Sequence, residues 1–497
     1  MDAQTQNTLA ILREAMFKAG NPGDLAKSNT FVSPTSATVG LQTYNLEAPA
    51  KNLYPVLSPI RNEMPRVKAT GGIQANWKAV TGINTTKVSV GIGEGQRGGN
   101  LSVATQEFFA AFRTIGIEAS VTEEAELSAE GYDDLRARAA NSGLQALMIA
   151  EEHLIIGGCS SQGLGTTAQP VLTQANSGGT LAGGSTLSVI CVALTMDGVS
   201  NSGLTTGVPA TITRNNVDGT SVIYGGGAAI RSANQTIAIT AGNNVNAVTA
   251  NVAAKQGAAG YAWFWGAAGN EQLGAITNYS QVVITTLTAS GFLSTALTTD
   301  NSTNSLVFDG LLTLNAKTTT AYWNGLNPGS TLTADGYGGV VEFDEVLRWY
   351  YDTLRAAPSR IWVSSQEMQT IKTKFLGGAG SNTSTRFVFN VQAGQIMGGG
   401  LPKGYLNMFA GAANGANEIP LMLHPYMPPG TIVFEIDKLP YPMNNVNNVR
   451  QILTRRDYYQ REWVQTTRSY QYGVYSDEVL QHYFPVGIAI ITNITPG

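Results

Sequence analysis

Charge is the scarcest ingredient of this sequence. From Ser160 to Ser290 only six of 131 positions are charged: Asp197, Arg214, Asp218, Arg231, Lys255 and Glu271. The other 366 positions carry 58 of the 64 charged residues. The overall charged fraction, 13%, is about half of the ~25% usual for soluble proteins. A net charge of −4 argues against tight electrostatic binding of nucleic acid. Cysteine is nearly absent. Cys159 and Cys191 alone exclude a disulfide framework and a cysteine-based zinc cluster, and they suit a reducing compartment. No apolar run approaches the ~18 residues of a membrane-spanning helix, and the N-terminus is too polar for a signal peptide. These absences predict a soluble, non-secreted protein with no membrane partner. His153, His424 and His482 stand apart without H-x-x-x-H or H-E-x-x-H spacing, which speaks against a metal site or a histidine triad.

The charge-poor block is rich in glycine, serine, threonine, alanine and valine, a composition of short strands and tight turns. Period-2 runs occur at Leu187–Val192 and Ala247–Val252. In Gly260–Gly266, Tyr261, Trp263 and Trp265 share one face and Ala262 and Phe264 the other. An aromatic face could serve as a sugar platform, but the core face of a sandwich is the better reading. The block therefore predicts an inserted all-β domain of immunoglobulin or fibronectin type III kind.

The flanks differ. Residues 5–18 predict a short amphipathic helix. Residues 21–65 hold six of the 19 prolines and predict an extended arm lying on other surfaces. Residues 66–104 predict a long glycine-turned hairpin, which is marginal alone and needs something to lie on. Residues 120–158 form the strongest helical region, with a capping box at Ser120 and Glu123. Tyr132, Leu135, Ala139, Leu147 and Ile155 recur at roughly helical spacing and predict a long spine helix from Tyr132 to Ile156. Further on, Phe343, Val346, Leu347, Tyr350 and Leu354 form a helical stripe stopped by Pro358. A strand at Arg360–Ser364 and a second helix closed by Gly377-Gly378 follow, making an α+β unit.

Three motifs invite chemical readings. Gly93-Glu-Gly-Gln-Arg-Gly98 matches a dinucleotide fingerprint but has no helix to follow it, so a hairpin tip is the better reading. Glu123, Glu124, Glu126, Glu151 and Glu152 could supply an acid and base pair, yet read better as solvated faces or dipole partners. Arg450, Arg455, Arg456, Arg461 and Arg468 interleave with aromatics, but nearby carboxylates leave residues 450–484 at only +1. Packing within a sheet or between subunits fits them better than nucleic acid. No cofactor, metal or catalytic residue is expected.

The order of elements resembles the major capsid protein of tailed bacteriophages, the Hong Kong 97-type fold. Carrying the resemblance are the hairpin with Trp77, Phe108–Gly116, Val121–Glu126, Glu151–Gly158, Pro358–Ser365 and Gly487–Ile494. It implies an α+β fold with an N-terminal arm (1–65), an extended loop (66–104), a peripheral domain with spine helix (105–158, returning at 450–497) and an axial domain (293–449). The β insert would occupy 160–292. Arg66, Trp77, Lys78, Lys87, Glu94 and Arg97 would then be intersubunit contacts. The implied function is structural: an icosahedral phage head of pentamers and hexamers enclosing double-stranded DNA, which is contacted weakly and non-specifically. A portal, a decoration protein and a separate scaffolding protein are the partners implied, the last because only a short helix precedes the arm. Some relatives cross-link a hairpin lysine to an asparagine; Lys78 and Lys87 have no matching partner here, so non-covalent locking is expected. The site of action would be the virion, assembled in the host cytoplasm. Alternatives are a cellular nanocompartment shell of the same fold and a surface-layer or carbohydrate-binding multidomain protein.

Overall fold

The computed structural model describes residues 48–497 apart from 241–243, 288–289, 337–338, 377–389, 393–394, 398–402, 410–417 and 466. The helix expected at 5–18 and the closing Gly377-Gly378 lie outside the described residues. Two compact units emerge. Of the described residues, one takes in 48–57, 117–146 and 460–474, and the other 58–116, 147–459 and 475–497.

A short helix, α1 (Pro59–Glu63), opens with proline where a missing N–H costs nothing. Strand β1 (Arg66–Lys68) follows. Gly71 and Gly72, both at positive φ, then turn the chain into an antiparallel ribbon of β2 (Gln74–Ile83) and β3 (Val103–Ala111). The hairpin expected over 66–104 thus forms from 74 to 111. Strand β4 (Arg113–Thr122) runs through Ser120, so the expected capping box does not form. Thr122 caps instead, its side chain accepting from the Ala125 N–H at 3.3 Å, and α2 spans Glu123–Ser128. After a turn at Gly131 comes α3 (Leu135–Gly157), where Asp134 Oδ1 accepts from the Ala137 N–H at 3.0 Å. Tyr132 therefore lies in the turn and not in the spine helix: the cap at Asp134 decides where the helix starts, and the apolar spacing does not. At the other end Gly157 and Gly158 permit close packing, since an added Cβ would meet the Met196 side chain at 2.5 Å and the Phe308 carbonyl at 2.3 Å.

The regular structure of the charge-poor block is strand, apart from one short helix, with long connecting loops. It comprises β5 (Val171–Ala175), β6 (Thr186–Leu194), a short α4 (Met196–Asn201), β7 (Thr211–Asn215), β8 (Ser221–Gly225), β9 (Gln235–Ala238), β10 (Ala247–Asn251), β11 (Gly260–Ala267), β12 (Asn270–Thr277) and β13 (Gln281–Ile284). They form a β13-β10-β5 sheet, a β12-β11-β6-β9 sheet and a β7–β8 hairpin. β6 and β11 are buried on both faces. Leu187, Val189, Cys191 and Ala193 join Tyr261, Trp263 and Trp265 in one core, while Ile190, Val192 and Leu194 join Ala262 and Phe264 in another. The aromatic face is interior, which excludes it as a sugar platform. Its polar tips are satisfied: Trp263 donates to Thr277 Oγ1 at 2.8 Å and Trp265 to the Thr286 carbonyl at 3.0 Å.

Beyond it lie α5 (Leu311–Lys317), β14 (Trp323–Gly325), α6 (Val341–Trp349), β15 (Arg360–Val363) and α7 (Ser365–Leu376). The expected stripe holds: Phe343, Val346, Leu347 and Tyr350 are buried together against Ile361 and Phe434. Strands β16 (Asn390–Gln392) and β17 (Gln395–Met397) pair with each other. Then come β18 (Gly404–Leu406), β19 (Glu418–Leu423), β20 (Ile432–Glu435), β21 (Arg450–Glu462), β22 (Ser469–His482) and β23 (Ala489–Thr492). One sheet runs β14-β23-β20-β15-β19-β18 and another β1-β21-β22-β4.

Candidate functional site

Two features stand out: the β2–β3 ribbon and a set of buried ions beneath α3. The ribbon is pinned at its base. Trp77 lies opposite Phe108 in register, stacks on it at 5.9 Å between centroids, and meets the edge of Tyr483 at 5.8 Å. Lys78 faces Glu107 across the strands on the exposed side. On both sides of that pair, and through the connecting loop, the hairpin is apolar and bare. Ile73, Val80, Ile83, Val90, Ile92, Leu101, Val103 and Phe109 are each at least half exposed, Val90 at 93%. The turn region holds Lys87 at φ +50°, Glu94, Gly95 at φ +73° and Arg97, all exposed. No helix follows Gly98, so the dinucleotide reading is excluded.

Arg66 lies elsewhere, in the second feature. Glu151 and Glu152 on α3 are fully buried, which overturns their reading as a solvated face. The Glu152 carboxylate accepts from the Ile60 and Arg61 N–H groups at 2.9 and 2.7 Å. It also accepts from His424, whose Nδ1 takes the Tyr426 N–H at 3.1 Å and so leaves the proton on Nε2. Glu151 accepts from Arg61 Nε at 2.9 Å, from Arg66 and from the Tyr458 hydroxyl. Arg66 reaches on to Asp457 at 2.8 Å and Glu478 at 2.6 Å, and its guanidinium lies 4.5 Å over the Tyr458 ring. Burial, reinforced by Glu151 and only partly offset by Arg66, pushes Glu478 up to about 7. Burial and Glu151 also hold the Tyr458 hydroxyl far above its ordinary range.

A neighbouring set accounts for the first of the clustered arginines. Arg450, 4% exposed, donates to Glu435 at 2.7 Å, and Trp362 Nε1 donates to the same oxygen at 2.6 Å. On β22, burial and the Arg450 charge drive His482 down to about 3. Arg450 is thus sheet packing. In the smaller unit Arg468 instead pairs with exposed Glu123 and Glu124 at 3.0 and 3.2 Å, and Arg136 with Glu126 at 2.8 Å. For these three glutamates the solvated reading fits.

The chain is similar in structure to shell proteins. It matches the capsid of the native GTA particle with a TM-score of 0.41 and 10% identity, covering 95% of this chain and 98% of that one. The capsid of Myoviridae phage XM1 matches with a TM-score of 0.41 and 8% identity, over 91% of this chain and 97% of that one. The holo-SrpI encapsulin complex from Synechococcus elongatus PCC 7942 matches with a TM-score of 0.39 and 7% identity, over 92% and 96%. No family model and no curated protein matches the sequence.

Among the described residues no group of histidine, cysteine, aspartate and glutamate is arranged to hold a metal ion. Of the residues expected at subunit contacts, Trp77 anchors the ribbon, Lys78, Lys87, Glu94 and Arg97 are exposed on it, and Arg66 is an internal clamp. On the expected spine, Leu135 and Ala139 are half-buried, and Leu147 and Ile155 are buried. The ion cluster went unforeseen, although one signal pointed to it. Leu147, Glu151 and Ile155 recur every fourth residue, which places Glu151 on the buried stripe.

Proposed function

We propose that this chain is the structural subunit of an icosahedral phage head enclosing double-stranded DNA. One observation carries the reading: a two-stranded ribbon with its connecting loop, marginal in water by itself, exposes eight large apolar side chains between Ile73 and Phe109. Covering each one on a neighbouring copy contributes about 1.5–3 kcal/mol, enough in sum to offset the cost of association. In this reading residues 74–111, where the hairpin expected over 66–104 forms, act as the extended loop and 1–65 as the arm. Residues 112–158 with 450–497 form the peripheral domain, 293–449 the axial domain, and 160–292 a domain displayed on the shell.

Purified protein, alone and with a scaffolding protein, would be imaged by electron microscopy. Closed particles are expected, and Val80→Asp with Phe109→Asp should reduce them to soluble capsomers or monomers. Monodisperse monomers of the unaltered chain under every condition would sink the reading. Closed particles that never protect DNA from nuclease in an infected host would instead favour a nanocompartment shell.

A further inference from the structure

The charge-poor block contains an open cleft of about 540 Å³, lined by Ile190, Ile230, Arg231, Asn234, Glu271 and Thr298 among others. Two of the six charged residues between Ser160 and Ser290 thus meet in one cleft, although 40 positions separate them in sequence. Their surroundings are unusual. Glu271 is 4% exposed, yet its carboxylate is held only by neutral donors: Ser188 Oγ at 2.6 Å and the Gly269 N–H at 3.1 Å. Asn234 Nδ2 donates to Ser188 Oγ at 3.4 Å and extends this chain to the cleft wall. Arg231 has its backbone N–H tied to the Leu297 carbonyl at 2.9 Å, and one guanidinium nitrogen donates to Ser294 Oγ at 3.3 Å. Neither charge has an ion-pair partner among the described residues. A buried carboxylate without a cation is costly, and here only neutral donors of the β11–β12 turn and of β6 offset that cost.

We propose that this cleft is a binding site for a neutral sugar presenting vicinal hydroxyls. The carboxylate only accepts hydrogen bonds and the guanidinium only donates them, whereas a hydroxyl does both. A sugar ring can therefore add one hydroxyl to the Glu271 carboxylate, beside its bonds from Ser188 and Gly269, and place another on Arg231, through charge-assisted bonds that leave no ligand charge to desolvate. Half-buried Ile230 supplies an apolar wall for the C–H face of the ring, with Ile190 packed behind it, and the volume lies within the range of small-ligand sites. The site does not depend on the shell reading.

Saturation-transfer difference NMR on the full chain, with a panel of methyl hexosides at millimolar concentration, tests this. At least one hexoside is expected to receive saturation, with affinity falling at least tenfold in Glu271→Gln and in Arg231→Gln. Thr298→Trp, at an exposed position on the cleft rim, should block binding without touching the buried carboxylate. Asp218→Asn, in the β7–β8 turn, should bind as the unaltered protein does. No transfer to any hexoside would overturn the proposal, as would transfer indifferent to Thr298→Trp, or displacement of the sugars by a zwitterionic amino acid that binds more tightly.

Discussion

The charge-poor block and the body under α3 solve the same problem by opposite means. Both bury polar chain and must satisfy it. In the block, sheet hydrogen bonds serve the backbone, and Trp263, surrounded by small and branched side chains, fills the centre. Under α3, Glu151, Glu152, Glu478 and Arg66 do the work of tying helix to strands. Neutral layers tolerate dilution of chemistry, because each contact is local and replaceable. A buried ion set tolerates none, because removing one member strands the others.

The largest effects should fall on the two centres. Glu151→Ala leaves Arg61 and Arg66 short of a buried carboxylate and is expected to cost about 3–5 kcal/mol. Trp263→Ala should cost a similar amount, about 3–5 kcal/mol, through its cavity. Urea unfolding separates the mechanisms: Glu151→Gln should recover only part of the loss, while Trp263→Phe should recover most of its own. A Glu151→Ala loss below about 1 kcal/mol would show that the ions are incidental.

The next effect is in pH. The raised Glu478 gives stability present below its ordinary range near 4.5 and lost as pH rises through about 7. The lowered His482 works the other way: its contribution is present above about 6.5 and lost as pH falls toward about 3. The two slopes oppose each other between about 4.5 and 6.5. Thermal midpoints should therefore fall from pH 6.5 to 8, and fall again below pH 4.5. Glu478→Gln should flatten the alkaline limb and His482→Gln the acid one; a profile unchanged in both variants would contradict the assignment.

The smallest effect is expected where charge is exposed. Arg468→Ala removes two surface ion pairs and should leave the melting midpoint unresolved from that of the unaltered protein.

What could be read in advance was whatever repeats locally. The stripe through Phe343, Val346, Leu347 and Tyr350 and the alternation through Tyr261, Trp263 and Trp265 are periodic, and periodicity survives without knowledge of partners. The start of α3 was misplaced because a single capping aspartate outweighs several apolar spacings. The ion set escaped because its members at 61, 66, 151, 424, 458 and 478 come together only in the fold. Arg231 and Glu271 escaped for the same reason.

The two cysteines carry one last consequence. Cys191 is fully buried inside the sheet core, and Cys159 is 4% exposed just past the end of α3. Burial raises both thiols, Cys159 to about 11 and Cys191 well above its ordinary range. Neither can react until its surroundings open, so the rate at which each is modified is a clock for that opening. The molecule carries one clock in its neutral region and one beside its ionic region, and a single labelling experiment reads both.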